Sequence, residues 1–166
     1  MPDWPIHIIV PLLALLIVGR KDDKKYILLL LPLAILPDFD SFVSQHRALL
    51  HNIFLPVIFL LFGLVIKQKR AIFIIAAVYL ASHVFMDMFG GGVVLFYPLY
   101  NKMVFVDATL SLSLSNELIW VFDYGFKGYT NDWVTANGYI SDSIGTAALI
   151  FVLLAGVYTV FRNRKS

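Results

Sequence analysis

The chain lacks cysteine altogether, and charged residues occupy only 14% of its 166 positions. Without cysteine it can form neither a disulfide bond nor a metal site built on thiolates. An average soluble domain has about 25% charged residues, so this chain is poor in charge. Its basic residues stand in short clusters rather than along one accessible face, which excludes the usual architecture of a nucleic-acid-binding protein.

What the chain has in place of charge is apolar residues, which make up 60% of its length. They concentrate in five runs, at residues 4–19, 26–37, 48–66, 71–89 and 143–161. Apolar runs of this kind are typical of transmembrane helices. The first run does not resemble a signal peptide, because Asp3 precedes it and no basic region does. We therefore predict an all-α integral membrane protein with about five transmembrane helices.

The distribution of basic residues predicts how such a bundle is oriented. Three clusters hold 10 of the 13 Lys and Arg residues, at 20–25, 67–70 and 162–165. Five spans place all three clusters on one side, which the positive-inside rule makes cytoplasmic. The amino terminus is then outside and the carboxy terminus inside, in a multi-pass protein of the cell membrane. Residues 1–89 form a four-helix core, 90–142 an extracytoplasmic cap, and 143–166 the last helix with a basic tail.

The second run and the cap depart from a simple bundle. The run holds only 12 residues before Asp38. That is about 18 Å of helix against about 30 Å of hydrocarbon, so Asp38 should lie in a recessed polar pocket. In the cap, alternation from Val104 to Ser115 predicts a short strand or hairpin. The aromatic residues from Trp120 to Trp133 are typical of a membrane interface. The segment is either a cap on the outer leaflet or a plain connector.

The chain has four histidines, and their positions along the runs indicate a common site. His7, Asp38 and His83 each lie 13 residues from the nearest basic residue, and His51 lies 16 residues from Lys67. At about 1.5 Å per residue, these groups all lie about 20–24 Å above one boundary. Ionisable residues inside a membrane are costly and usually functional. We therefore predict that these side chains converge near the extracytoplasmic face.

Local spacing supports a metal site at that depth. His83 and Asp87 are four residues apart, so they share one helix face and can bind one ion or bridge two. Asp38 and Asp40 add oxygen ligands where the second run ends. Mixed imidazole and carboxylate donors suit one or two divalent ions, Zn²⁺ first, with Mn²⁺ or Fe²⁺ as alternatives. The predicted metal ligands are His7, Asp38, Asp40, His51, His83 and Asp87.

The segments that carry these residues form an ordered set of motifs. They read His7, Leu36-Pro37-Asp38-Phe39-Asp40, His46-Arg47-Ala48-Leu49-Leu50-His51-Asn52, Ser82-His83-Val84-Phe85-Met86-Asp87 and Gly92-Val93-Val94-Leu95-Phe96-Tyr97-Pro98. The set resembles the YdjM-like membrane-bound proteins, a family of predicted metal-dependent hydrolases, over roughly residues 5–100. Ala48, Leu50 and Asn52 replace the family's Gly, Thr and Ser. The resemblance implies a membrane hydrolase with its metal residues intact and altered contacts around the metal or with substrate.

The order His, Asp, His, His-x-x-x-Asp is also similar to that of zinc-dependent phospholipase C and the related single-strand nucleases. This similarity implies that Asp38 or Asp40 joins His51, His83 and Asp87 at one ion, and that His7 and Asp87 hold a second. The later His and His-x-x-x-Glu of those enzymes are absent after residue 87, so a three-ion cluster is not expected.

These residues favour a membrane-embedded metal-dependent phosphoesterase that acts on a lipid head group at the outer leaflet. Metal-activated water attacks the ester and Arg47 binds the phosphate, while His46 or the aspartate of Asp38 and Asp40 that does not bind the metal acts as general base or acid. Alternatively, Arg47 pairs with Asp38 or Asp40 and only orders the pocket. A structural metal site and a metal transporter or sensor are the other hypotheses, although the inner halves of the runs offer no polar path. Membrane lipid is the expected partner, and the sequence leaves the oligomeric state open.

Overall fold

The computed structural model describes residues 4–42, 46–112, 117–130, 148 and 150–157. In that part of the chain the architecture is mixed α/β, with helices around a buried core and a two-stranded antiparallel sheet after them. The predictions for the end of the cap at 131–142 and for the basic tail at 158–166 lie outside the described residues. Of the fifth apolar run, residues 150–157 are described and are helical.

The first apolar run forms helix α1, Trp4–Val18, which contains Pro11. After Gly19 the chain passes through a 3₁₀ turn at Lys21–Asp23 into the short helix α2, Lys24–Leu29. Leu12 of α1 and Ile27 of α2 are both 0% exposed and belong to one core cluster. The two helices therefore use their apolar residues to build a protein core.

The second apolar run does not continue as an α-helix. It breaks into 3₁₀ segments at Leu31–Ala34 and Leu36–Phe42, which contain Pro32 and Pro37. Proline removes a backbone donor and clashes with the preceding turn, so a regular helix cannot pass through both positions. Asp38 and Asp40 are buried in the second segment. The recess predicted for Asp38 is thus a position inside the folded protein.

The third and fourth runs form a helical hairpin of α3, Phe54–Val65, and α4, Arg70–Phe89. Asn52 caps α3, because its Oδ1 accepts hydrogen bonds from the N–H groups of Phe54 and Leu55 at 3.0 and 3.1 Å. On α4, the Tyr79 hydroxyl donates a 2.8 Å hydrogen bond to the carbonyl of Ile27. This bond holds α4 against α2 and so fixes the helix that carries His83 and Asp87.

The sheet is a hairpin of β1, Met103–Leu112, and β2, Leu118–Lys127. Its register runs from Met103 opposite Lys127 to Leu112 opposite Leu118. The strand predicted from Val104 is present as β1, and β2 occupies the predicted aromatic band. Alternate residues of a strand share a face, so Trp120, Phe122 and Tyr124 lie together, each at least 67% exposed. The hairpin therefore presents an aromatic face to its surroundings.

The prediction of an all-α protein with five transmembrane helices is wrong. Among the described residues one helix, Lys67–Phe89, is long and apolar enough to cross a membrane. Within the 18-residue apolar stretch of this helix, 44% of the residues are buried inside the protein. Helices α1 and α3 have 15 and 12 residues, about 22 and 18 Å against about 30 Å of hydrocarbon. The orientation inferred from the basic clusters depended on five spans and loses its basis with them.

Candidate metal centre

Four segments bring the predicted site residues together. Helix α1 supplies His7, the 3₁₀ segment supplies Asp38 and Asp40, the loop before α3 supplies His46, Arg47 and His51, and α4 supplies His83 and Asp87. Asp38 is 7% and His46 is 6% exposed, and the other six are at most 1% exposed. An unpaired buried charge costs several kcal/mol, so these groups must satisfy one another or a ligand.

Donor atoms of Asp38, His51, His83 and Asp87 converge. The Nε2 atoms of His51 and His83 lie 3.2 Å apart. Asp38 Oδ1 lies 3.5 and 3.3 Å from these two nitrogens, and Asp87 Oδ2 lies 3.1 and 3.6 Å from them. Ligands placed tetrahedrally at about 2.0–2.1 Å from an ion are about 3.3 Å apart. These five distances are therefore close to those between the ligands of a four-coordinate ion.

The second nitrogen of each imidazole is engaged elsewhere. His83 Nδ1 lies 2.6 Å from the carbonyl oxygen of Ala34, which can only accept, so Nδ1 carries the proton. His51 Nδ1 lies 2.8 Å from Asp40 Oδ2, which also accepts. If both rings are neutral, their Nε2 lone pairs face each other and two carboxylates. Such an arrangement is repulsive unless a proton or a metal ion lies among the donors.

The carboxylate oxygens of Asp38 and Asp87 that face His51 and His83 would also be stabilised by a cation. Asp38 Oδ1 and both oxygens of Asp87 are buried and accept no well-formed hydrogen bond from the described part of the chain. Leaving buried acceptors unsatisfied is destabilising. One cation among the four donors satisfies Asp38 Oδ1 and Asp87 Oδ2 at once. The buried Asp and His groups can therefore hold a metal ion.

Protonation of the metal-free site follows the same electrostatics. Burial by itself raises the pKa of Asp38 and Asp40, but the neighbouring histidines outweigh it. The pKa of Asp38 falls well below its usual range, and that of Asp40 falls to about 2. Burial lowers the pKa of His51, yet Asp38, Asp40 and Asp87 together raise it to about 10. The metal-free site thus keeps a proton on His51, which a bound metal ion replaces.

Asp40 lies behind His51 and joins it to His46. His46 Nδ1 lies 2.8 Å from Asp40 Oδ1, and the Leu50 N–H donates to Asp40 Oδ2 at 3.3 Å. Asp40, His46 and His51 are close enough to be a second metal-binding group. However, their 2.8 Å contacts have hydrogen-bond length and engage both carboxylate oxygens. Asp40 therefore acts as the acceptor that orients the ring of His51.

Arg47 is 1% exposed and adopts a positive φ of 65°. Its Nη1 donates to the carbonyl oxygens of Gly90 and Gly92 at 3.0 and 3.2 Å, and its Nη2 lies 3.5 Å from Asp87 Oδ1. Gly91 has a φ of 117°, and a Cβ there would lie 3.2 Å from Nη1. Arg47 therefore pairs with Asp87, whereas the alternative to a phosphate-binding role named Asp38 or Asp40 as its partner. Arg47 and His51 share no helix face, because α3 begins only at residue 54.

His7 reaches the same carboxylate from α1. Its Nε2 lies 3.4 Å from Asp87 Oδ1, and its ring centroid lies 4.1 Å from that of His83. Asp87 thus directs Oδ2 toward the imidazoles of His51 and His83, and Oδ1 toward His7 and Arg47. This carboxylate connects the convergent donors to the two remaining predicted groups.

Sequence reasoning did not single out three parts of the site. They are the Ala34 carbonyl, the Gly91 backbone and Tyr129, whose hydroxyl donates to the His46 carbonyl at 2.9 Å. A carbonyl acceptor leaves no mark in a sequence, and Tyr129 is one of many aromatic residues in its segment. Tyr129 also lines a cavity of about 200 Å³ beside the loop, together with Ala48, Val94, Tyr97 and Asn101.

Comparison of the chain with protein-family profiles, curated proteins and solved structures finds no match. The resemblance to the YdjM-like proteins and to zinc-dependent phospholipase C therefore depends on the motifs alone and stays a prediction.

Proposed function

We propose that the chain is a metal-dependent hydrolase of phosphate esters that binds one Zn²⁺ ion through Asp38, His51, His83 and Asp87. The observation that carries this proposal is the convergence of four donor atoms, 3.1–3.6 Å apart in the measured pairs, beside a buried arginine. Two imidazoles and two carboxylates form a donor set that zinc accepts, and Mn²⁺ or Fe²⁺ are the alternatives.

One ion suits the geometry better than two. A second ion would use His7 Nε2 and Asp87 Oδ1, which lie 3.4 Å apart. Arg47 Nη2 lies 3.5 Å from that same oxygen. Because a guanidinium stays charged at all accessible pH values, it repels a second dication at this position. His7 and Arg47 therefore hold Asp87 in place instead of completing another site.

The side chains around the proposed ion have separate proposed roles in positioning His51, in proton transfer and in phosphate binding. A divalent ion in this donor set supplies a Lewis acid that activates water and shields phosphoryl oxygens. Asp40 positions His51, and His46, 2.8 Å from the other oxygen of Asp40, is the proposed general base or acid. Arg47 contributes a fixed positive charge 3.5 Å from Asp87 Oδ1 and is the proposed ligand of the phosphoryl group.

The proposed substrate is a phosphorylated lipid, and the proposed location is a membrane. Large apolar side chains stay exposed on α3 and on the hairpin, among them Leu61 at 54%, Phe62 at 47% and Trp120 at 72%. Contiguous exposed apolar surface is uncommon on soluble monomers and marks contact with lipid or a partner. Exposed aromatic side chains favour the membrane–water interface. A lipid substrate would reach the metal centre from the phase that covers these surfaces.

A structural metal site is the second candidate function, and one observation favours it. Four protein donors fill a tetrahedral ion, and all four are at most 7% exposed. Structural zinc sites are closed in this way, whereas catalytic sites keep one position open to water or substrate. Because four protein donors leave no open position, catalysis would require a fifth ligand or the displacement of one donor. Asp38 is the most exposed of the four and is therefore the donor to be displaced.

The experiment uses the protein loaded with Zn²⁺ or Co²⁺ and a panel of phosphorylated lipids with their soluble head-group esters. Arg47→Lys keeps the charge but loses the planar fork. It should reduce phosphoesterase turnover at least about tenfold with metal content unchanged. Lys102→Arg, at an exposed position away from the centre, is the control that should change neither quantity. Azide or phosphate should alter the Co²⁺ spectrum if a coordination position opens. No hydrolysis of any ester together with an unresponsive spectrum would establish the structural site instead.

A further inference from the structure

A second cavity lies at the opposite end of α4 from the metal centre. It has a volume of about 640 Å³ and lies where the end of α1, the start of α2 and the α3–α4 turn meet. Ligand pockets of globular proteins measure about 300–1,000 Å³, so its size is that of a small-molecule site. Its wall residue Ala71 is 12 positions before His83, about 18 Å along the helix axis. The cavity is therefore separate from the metal centre.

The inner wall of this cavity is apolar. Leu15 of α1, Ile27 of α2, and Ile74 and Ile75 of α4 line it. Ile27 and Ile75 are 0% and 5% exposed, so they form its floor. A surface of this kind accepts a hydrocarbon chain and offers nothing to a free phosphate or a sugar.

The mouth of the cavity is cationic. Arg20, Lys67 and Arg70 line it and are exposed, while Asp23 is its single acidic residue. The surrounding segments, 20–25 and 67–70, contain seven basic side chains and two acidic ones. Such a cluster attracts an anionic head group and gives a neutral one no advantage.

Two local features hold the cavity open and place a cation at its mouth. A Cβ at Gly19 would lie 2.5 Å from the Leu15 carbonyl oxygen, so glycine is required where the chain turns beside Ile27 before Arg20. The hydrogen bond from Tyr79 to the Ile27 carbonyl fixes the floor between α2 and α4. The site is thus built by the fold and does not depend on a mobile surface side chain for its shape.

From this arrangement we infer that the cavity binds an anionic amphiphile, with its acyl chain against Ile27 and Ile75 and its head group among Arg20, Lys67 and Arg70. Two sources supply this chemistry: a free fatty acid and an anionic phospholipid of a bilayer. Val18, at 85% exposure, and Val65, at 78%, flank this end of the molecule with apolar surface. That surface gives an amphiphile an apolar route from a membrane to the mouth of the cavity.

The test measures binding of dansyl-labelled undecanoate by fluorescence, with its methyl ester as the neutral analogue. Wild-type protein should bind the acid at least about tenfold more tightly than the ester, because the ester loses its charge-assisted contacts. Ala71→Phe, which fills the cavity, should weaken binding of the acid by a similar factor. The triple variant Arg20→Gln/Lys67→Gln/Arg70→Gln should bind acid and ester equally. Lys102→Gln and Lys127→Gln remove charge elsewhere and should bind like wild type.

Competition identifies the source of the ligand. Displacement of the probe by phosphatidylcholine vesicles that contain phosphatidylglycerol, and not by phosphatidylcholine alone, assigns the site to a phospholipid. Displacement by unlabelled fatty acid alone assigns it to a free fatty acid. Zinc content and the unfolding temperature of Ala71→Phe are measured alongside, and unchanged values show that the variant is folded. Equal binding of the acid by folded Ala71→Phe and wild type, or displacement of the probe by RNA alone, overturns the proposal.

Discussion

The two ends of α4 differ in how their ionisable side chains are exposed to solvent. At its carboxyl end, His83 and Asp87 are 0% exposed and surrounded by other ionisable groups. At its amino end, Arg70 is exposed at the mouth of an apolar cavity. The buried groups must be satisfied by fixed partners because water is excluded. The exposed cation needs none, so it is available for a ligand. Burial, more than residue type, therefore decides which polar groups are held by fixed partners within the protein and which can bind a ligand at the surface.

The comparison also explains why contacts at the metal end are directional. His83 is held by a 2.6 Å hydrogen bond to the Ala34 carbonyl, and His51 by a 2.8 Å contact with Asp40. Each contact selects one ring nitrogen and leaves the other for the convergence point. At the cavity end, the inner wall is aliphatic and the charged side chains at the mouth are on the surface. At the candidate metal centre, individual hydrogen bonds determine which atoms face a ligand. At the cavity, only its shape and its charge select a ligand.

Removing a convergent donor should have the largest effect on the metal end. His83→Ala leaves Asp38, His51 and Asp87 without their fourth partner, so zinc content should fall from about one ion per chain to background. Zinc at a thousandfold excess over its Kd stabilises a protein by about 4 kcal/mol, and the variant should lose nearly all of this thermal shift. Elemental analysis and thermal unfolding with and without zinc measure both quantities.

Ser82→Ala is the matched control for that experiment, because Ser82 is the neighbour of His83 and its hydroxyl donates to the Tyr79 carbonyl within its own helix. It should bind zinc like wild type, and both variants should still bind the anionic amphiphile at the other end of α4. Full zinc content in His83→Ala would show that the convergent donors are not the metal ligands.

A smaller effect is expected when the orienting group is changed instead of a donor. Asp40→Asn keeps the shape of the side chain but removes the charge that accepts from His51 and His46. Zinc affinity should weaken by about 10–100-fold without being lost, as for other groups that orient metal-bound histidines. Competition with a chelator of known affinity measures the change. Complete loss of zinc would instead identify Asp40 as a ligand, and unchanged affinity would remove its orienting role.

The smallest effect concerns the pH dependence of metal-free protein. Because the pKa of His51 is raised to about 10 in the folded state from an ordinary 6.5, its stabilisation is complete below pH 6.5 and is lost as pH rises toward 10. The pKa of Asp40 is lowered from 3.8 to about 2, so its contribution is lost as pH falls through that range. Metal-free protein should therefore have its highest Tm between about pH 4 and 6.5 and lose several degrees by pH 9.

Zinc-loaded protein supplies the contrast for this measurement. The ion replaces the proton on His51, so raising the pH from 6.5 to 9 should not lower the Tm of the loaded form. A metal-free Tm that stays constant across the same range would show that His51 does not carry the extra proton.

The residues of the candidate centre could be identified from the sequence, whereas most of the fold could not. His7, Asp38, His51 and His83 were grouped by their distance from basic residues, and Asp87 by its four-residue spacing from His83. The structure brings all five together. A common depth in a bilayer was the reason given for this grouping. The grouping also holds without a bilayer, because polar groups within apolar segments must contact one another to avoid being buried unpaired. The strand from Val104 was also predicted from its alternation. The five spans were not correct, because the same apolar composition serves a buried helix and a membrane helix.

The sequence by itself determined the chemistry available to this protein: imidazole and carboxylate donors without thiols, in apolar segments where an unpaired charge is costly. It also favoured breaks in the second apolar run, where Pro32 and Pro37 each remove a backbone donor, although α1 accommodates Pro11. Only the tertiary structure decided which ring nitrogens face the converging donor atoms, that Arg47 pairs with Asp87, and that the apolar runs pack on one another. These choices depend on contacts between segments far apart in the chain, such as the one between Ala34 and His83. Side-chain composition and spacing carry no record of such contacts.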